Sequence, residues 1–485
     1  MLDQAKTPLL DALKAYISSS HAPFYTPGHK RGRGISAKLA QCFGTKVFQA
    51  DLPELPELDN LFAPQGVIQA AQELAADAFG ASSTWFLVNG STCGITAAIL
   101  ATCTAGDKII LPRNVHQSAI AGLILSGATP IFVNPQYDPL LDITHSMTLE
   151  GVEAALKQHS DAKAVMIVYP TYNGVCGDVE AVANLTHKYN IPLLVDEAHG
   201  AHFAFHPHLP KSALTAGADL TVQSIHKTLG ALTQASMLHV HPSSRIDIDR
   251  LSKSLQLVQS TSPSYLLLAS LDAARQQMAT QGKHLMSRTL QLAEIARSKI
   301  SQISGLSVLE LNNPIPEFVD LDKTRLTVNV SGLGLTGFAA DEILVELDVI
   351  AELPSLQNLT FILSLGNTEA DIEKLVQAFT TLATEYKQDK QIVTSRTYNN
   401  IAPLAITPRQ AFYAPTETLP IEQTCDRICG ELVCPYPPGI PILMPGEVVT
   451  VEAIAELQKI QNLGGYISGC ADSSLKTLVV ITGHW

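Results

Sequence analysis

Three short stretches hold residue types that together could do covalent chemistry. The first is VNGSTCG, Val88–Gly94: an apolar run, a glycine turn, then Ser91 and Thr92 ahead of a helical stretch. A helix N-terminus presents unpaired N–H groups and positive potential, so it holds phosphate, although Ser and Thr also serve there as plain N-caps. The second is VDEAHGAH, Val195–His202, where an apolar run ends on Asp196 and is followed by Glu197, His199 and His202. It reads as a metal site, as a buried carboxylate for a cationic ligand atom, or as solvated acids with locally bonded histidines. The third is QSIHKTLG, Gln223–Gly230, which places Ser224, His226 and Lys227 directly after the run Leu220–Val222. Most single lysines are solvated, but an amine whose pKa is lowered by burial or a nearby cation can form a Schiff base with an aldehyde.

The order of the three stretches decides among these readings. A phosphate-type turn, a strand-end Asp and, about thirty residues later, a strand-end Lys supply the three groups that pyridoxal phosphate needs: a phosphate cup, a carboxylate for the ring nitrogen and an amine for the aldehyde. A buried anion beside the pyridine nitrogen favours the protonated ring, which accepts the electrons released when a bond to the substrate Cα breaks.

The elements that must position these residues are legible as a rhythm. Apolar runs at Thr84–Val88, Lys108–Leu111, Pro130–Val133, Ala164–Val168, Pro192–Val195 and Leu220–Val222 alternate with helix-length stretches such as Gly94–Thr104 and Val179–Tyr189. Continuous apolar strands alternating with helices predict an α/β fold with a mostly parallel sheet buried on both faces. Ligands of such sheets bind outside the carboxyl ends of the strands, where the three stretches fall. After Pro263 the pattern changes to one or two long helices over 264–300, then a smaller α/β unit over 308–385, a polar linker over 386–403 and a C-terminal unit containing CPYPPGIPILMPGE.

These motifs resemble those of the bacterial ornithine/lysine/arginine decarboxylase family, pyridoxal-phosphate enzymes of the aspartate-aminotransferase fold (fold type I). The resemblance rests on FYTPGHKRG (Phe24–Gly32), LPELPELDNLFAPQGVIQAAQELAADAFGA (Leu52–Ala81), NGSTCG, RNVHQS (Arg113–Ser118), YPTYNGVCGD (Tyr169–Asp178), VDEAHGAHF, QSIHKTLGALTQ, TSPSY (Thr261–Tyr265), TPRQAFYAP (Thr407–Pro415) and YPPGIPILMPGE (Tyr436–Glu447). It runs through nearly the whole chain, which looks like the short form without the N-terminal wing domain.

The resemblance implies that Lys227 binds the cofactor aldehyde, that Asp196 pairs with the ring nitrogen, and that His116 and Ala198 lie on its two faces. It implies phosphate contacts from Ser91, Thr92, Ser224 and His226. Cys93 stands where many members have a hydroxyl, so it serves through its backbone N–H. Thr261 is expected to reach the phosphate of a neighbouring subunit, in a homodimer or larger homo-oligomer with shared sites. Glu447 is the first candidate for the substrate's cationic end and Asp59 the second. His199 and His202 are read as shaping the substrate pocket or as packing, His29 as lying at a subunit interface with a substrate role as the alternative, and Arg409 as pairing with an acid rather than binding the substrate carboxylate. The expected domains are 1–50 at the dimer interface, 51–300 binding the cofactor, 301–390 as a small α/β domain and 391–485 at the C-terminus. The expected reaction is decarboxylation of a basic L-amino acid, arginine to agmatine first, with lysine and ornithine as alternatives. An aminotransferase or β-eliminating lyase on the same fold, and a decarboxylase-like regulatory protein, are the competing readings.

Composition narrows the classes. The 485 residues are 46% hydrophobic and 16% charged, enough for large buried cores. The formal net charge of −13 and the scattered basic residues argue against nucleic acid as a partner. The amphipathic, acid-containing start MLDQAKTPLLDALKAY lacks the apolar core of a secretory signal, and no uncharged run reaches the length of a membrane span. The eight cysteines lack CxxC pairing, so free thiols in the cytoplasm are expected and no metal.

Overall fold

The structure is a computed structural model and describes residues 2–389, 392, 402–436 and 439–483. Within the expected linker, residues 390–391 and 393–401 lie outside the described residues, as do residues 437 and 438 of the proline-rich stretch. Two compact units account for the chain, one made of Met1–Ala101 with Asp196–Met286 and the other of Thr102–Val195 with Ser287–Trp485.

In the first unit, strands Ser83–Leu87, Ser236–Val240 and Leu220–Gln223 lie side by side in that order, both pairs antiparallel. Ser83 faces Val240, and Met237 faces Gln223. Every residue of the latter two strands is buried, as in strands covered on both faces. Val222, Met237 and Leu238 are fully inaccessible, each worth about 1.5–3 kcal/mol of burial. Helix Gly90–Thr102 packs hard onto these strands because Gly94 has no side chain: a Cβ there would come within 2.7 Å of both Leu87 and Val222. Gly90, at φ +74°, makes the turn into that helix. Strand Ser236–Val240 is missing from the sequence reading because its histidine breaks the apolar run, and its pairing makes the strand pattern mixed rather than all parallel.

In the second unit, Lys108–Pro112 is flanked in parallel by Thr129–Val133 and by Ala164–Val168. Helices Gln117–Ser126, Leu149–Gln158 and Val179–Lys188 follow strands in the expected alternation. Thr148 and Asp178 cap the last two helices with side-chain acceptors. An antiparallel sheet of Ser307–Val308, Arg325–Asn329, Asn358–Ile362 and Leu353–Pro354 forms a separate core with helices Gly337–Glu346 and Glu369–Glu385. A further core around Val433, Leu443, Leu457 and Val480 gathers the pairs Thr416–Pro420 with Thr477–Ile481 and Cys434–Tyr436 with Tyr466–Ser468. The long helical stretch is a single helix of 37 residues, Tyr265–Ser301. Among the described residues, no helix is long and apolar enough to cross a membrane.

Candidate active site

All three chemical stretches belong to the first unit, and the fold brings their side chains together in pairs. Lys227 sits on a four-residue helix, Ile225–Thr228, just beyond strand Leu220–Gln223, with its backbone N–H donated to Ser224 O. Its Nζ lies 2.9 Å from His199 Nε2. Asp196 closes strand Leu193–Asp196, is 6% exposed, and accepts the Ala198 N–H at 3.2 Å. Burial pushes its carboxyl up, while the Lys227 cation and the Ala198 N–H act the other way. Ala198 is buried in the same turn.

At the start of helix Gly90–Thr102, Ser91 Oγ lies 2.6 Å from Ser224 Oγ and 3.3 Å from Ser236 Oγ. Three hydroxyls thus converge at a helix N-terminus. Ser236 was not singled out in the sequence, since nothing local distinguishes a serine that begins a strand. Thr92 is exposed beside them. The Cys93 thiol donates to Gly90 O at 3.0 Å, and burial pushes it up to about 12, so it is an inert packing group. His226 Nδ1 is 3.1 Å from Ala235 O, and burial holds its imidazole below the usual range. Thr261 is exposed, one residue after Ser260, whose N–H donates to Asn89 Oδ1. The VNG turn and the TSPSY turn are therefore tied together.

Of the metal, carboxylate and solvated-acid readings of VDEAHGAH, the geometry favours the carboxylate. Neither Asp196 nor Glu197 is solvated: Glu197 is fully buried, bonded by Ala213 N–H and the Gln223 amide, and pushed up to about 8 by burial. No three His, Cys, Asp or Glu side chains are grouped to hold a metal ion among the described residues. His202 is buried, its ring tilted against Phe203 at 4.7 Å.

His116 belongs to the second unit. It caps helix Gln117–Ser126, with Nδ1 accepting the Ser118 N–H at 3.2 Å, so the ring orientation is set by its own helix.

Residues 7–325 match the Orn/Lys/Arg decarboxylase major domain, and residues 391–466 match the Orn/Lys/Arg decarboxylase C-terminal domain. The chain belongs to the Orn/Lys/Arg decarboxylase family. This member of the family is 41% identical over 487 residues to the arginine decarboxylase of Bacillus subtilis (strain 168), covering 99% of each chain. Its fold is similar to that of the lysine decarboxylase LdcF of Francisella novicida, with a TM-score of 0.83 at 22% identity over 98% of this chain and 80% of that one. A more distant fold relative is SPT with PLP, at a TM-score of 0.53 and 13% identity over 78% of this chain and 83% of that one.

Both acidic candidates for the substrate's side chain have local partners in this family member. Glu447 is 0% exposed and is bonded within its own unit. Arg113 grips it with Nε to Oε1 at 3.0 Å and Nη2 to Oε2 at 2.9 Å, and the Met444 N–H donates to Oε2. Arg113 also donates to Pro441 O and Ile442 O. Glu447 is therefore the anchor of a bidentate clamp within the second unit.

Asp59 is also bonded locally. Its two oxygens accept the N–H groups of Asn60, Gln65, Gly66, Ile68 and Gln69 at 2.8–3.3 Å, which caps helix Val67–Phe79 from a preceding loop. Although burial pushes its carboxyl up, those N–H groups hold it below the usual carboxylate range. Asp59→Ala is expected to cost about 1–2 kcal/mol of stability in urea unfolding, with the substrate KM unchanged. A raised KM at unchanged stability would return Asp59 to substrate binding.

His29 is committed on both ring nitrogens, to Asp51 at 3.1 Å and to the Gly32 N–H at 3.0 Å. Arg409 donates to Leu125 O at 2.7 Å and lies over the Tyr413 ring, so the partners described for it are a backbone carbonyl and an aromatic ring rather than the expected acid.

Proposed function

We propose that this chain decarboxylates a basic L-amino acid at Cα, L-arginine to agmatine and carbon dioxide, using pyridoxal phosphate bound through Lys227. The observation that carries the reading is the 2.9 Å contact between the Lys227 amine and His199, beside a buried Asp196 that feels the lysine charge. The residues fit the group: Ser91, Ser224 and Ser236 with the N-terminus of helix Gly90–Thr102 would hold its phosphate, and Asp196 would hold a proton on its ring nitrogen. Thr92, His226, Ala198 and His116 complete the proposed contacts, with Cys93 contributing its backbone N–H. When bound, the cofactor supplies an electron sink for the pair released as the carboxylate leaves.

The chain's own residues handle the protons. His199 Nε2 can take a proton from the Lys227 ammonium, leaving a nucleophilic amine, and return it when the lysine acts as an acid. His199→Gln is expected to lower kcat by about a hundredfold with KM little changed, read by carbon dioxide release. A kcat within twofold or so of wild type would remove His199 from this role.

Arginine is preferred here because relatives about 41% identical along nearly their whole length are arginine decarboxylases. The test is carbon dioxide release from arginine, lysine and ornithine, with and without a keto-acid acceptor. We expect acceptor-independent release, with arginine favoured by at least about tenfold. Dependence on the acceptor would instead support an aminotransferase. The same reading has a homodimer acting in the cytoplasm, with residues 1–50 at the subunit interface and Thr261 of one subunit reaching the phosphate site of the other. The exposure of Thr261 supports that reach. The separate cores within 292–382 and 421–480 support the division between 301–390 and 391–485.

A further inference from the structure

Behind the turn that carries Asp196 and His199, four polar side chains form a continuous hydrogen-bonded chain inside the first unit. Thr84, His239, Gln223 and Glu197 come from three neighbouring strands and that turn, and none is more than 5% exposed. Thr84 Oγ1 is 2.8 Å from His239 Nδ1, His239 Nε2 is 3.2 Å from Gln223 Oε1, and Gln223 Nε2 donates to Glu197 Oε2 at 2.8 Å. The Ala213 N–H closes the end at Glu197 Oε1, 2.7 Å away. Apolar residues would fill these positions at lower desolvation cost, so the chain calls for a role.

Its direction follows from donor chemistry. An ionised carboxylate only accepts, so the Gln223 amide nitrogen must face Glu197 and its oxygen must face His239. His239 is neutral, because burial pulls its imidazole down to about 3, so its one proton sits on Nε2 and Nδ1 accepts from Thr84. Glu197 is also the hinge of the site's own turn. Its N–H donates to Val222 O, its carbonyl accepts the Gly200 N–H, and a Cβ on Gly200 would lie 2.8 Å from its Cγ.

We propose that Glu197 is a positioning residue: the ordered chain from Thr84 to Glu197 fixes the turn that presents Asp196 and His199 to the cofactor. This rests on the function proposed above for that site. The chain makes a specific prediction. In Glu197→Gln the new amide keeps Ala213 through its oxygen but must donate to Gln223. Gln223 then turns its nitrogen to His239 Nε2, and the His239 proton moves to Nδ1. In the double variant Glu197→Gln/Gln223→Glu the carboxylate at 223 accepts from both sides, and the proton returns to Nε2.

The experiment is nitrogen-15 imidazole NMR of histidine-labelled holoenzyme at about pH 9, where Glu197, raised to about 8 by burial, is ionised. His239→Gln assigns the signal, and the pyridoxal phosphate dissociation constant is measured in parallel. We expect Nε2–H in the wild type, Nδ1–H in Glu197→Gln and Nε2–H again in the double variant. Glu197→Ala should weaken cofactor binding about tenfold or more, and Glu197→Gln by no more than about threefold. An unchanged tautomer in Glu197→Gln overturns the proposal, as does wild-type cofactor affinity in Glu197→Ala. If the wild type takes up no pyridoxal phosphate, the proposed function fails, while the tautomers of the cofactor-free protein still test the chain.

Discussion

Lys227→Ala protein is expected to fold normally and to release carbon dioxide from arginine at least about a thousandfold more slowly than wild type. The side chain is only partly buried, and the backbone bond from its N–H to Ser224 O survives the change, so stability should move by less than about 1 kcal/mol. What is lost is the amine that lies 2.9 Å from His199 Nε2. Without it, the site keeps its hydroxyl cup and Asp196 but has no group to bind an aldehyde covalently or to return a proton to Cα. Two readouts check this. One is single-turnover carbon dioxide release by cofactor-loaded protein, and the other is the visible absorbance of lysine-bound pyridoxal phosphate, expected in wild type alone. Turnover above about one per cent of wild type would sink the assignment of Lys227.

Glu447→Ala should be the most destabilising of the single changes considered. The carboxylate is fully buried, takes two bonds from Arg113 and one from the Met444 N–H, and has its carboxyl pushed up by burial against the pull of Arg113. Removing one partner of a buried ion pair strands the other, at a cost of about 3–5 kcal/mol. Denaturant unfolding followed by circular dichroism should show the midpoint falling by that equivalent, and Glu447→Gln should lose less because an acceptor remains. The substrate hypothesis makes the opposite prediction: unchanged stability with a KM for arginine that rises steeply. That outcome would restore Glu447 as the ligand of the substrate's cationic end.

The sequence revealed the site where chemistry and local pattern coincide. Asp196 and Lys227 end apolar runs, and Ser91 opens a helix after a glycine, so each could be placed from its neighbours alone. Ser236 could not, because only the antiparallel pairing of Ser83–Leu87 with Ser236–Val240 carries it to Ser91. Strand Ser236–Val240 itself was hidden by His239, a polar residue facing a polar chain inside the fold. Glu447 shows the same limit from the other side. A lone acid in MPGE looks available for a ligand, because its partner Arg113 is 334 residues away in sequence. Asp59 looked free for a similar reason: five backbone N–H groups leave no trace in residue type.

The hydroxyl cup joins Ser91 to Ser224 across 133 residues of sequence. On a ribosome adding about 5–20 residues each second, Ser91 is made roughly 7–27 s before its partner. Until then helix Gly90–Thr102 has no strand Leu220–Gln223 to receive Gly94. A nascent chain therefore cannot build the cup early. On the function proposed above, growing chains stopped short of Ser224 should bind chaperones rather than pyridoxal phosphate.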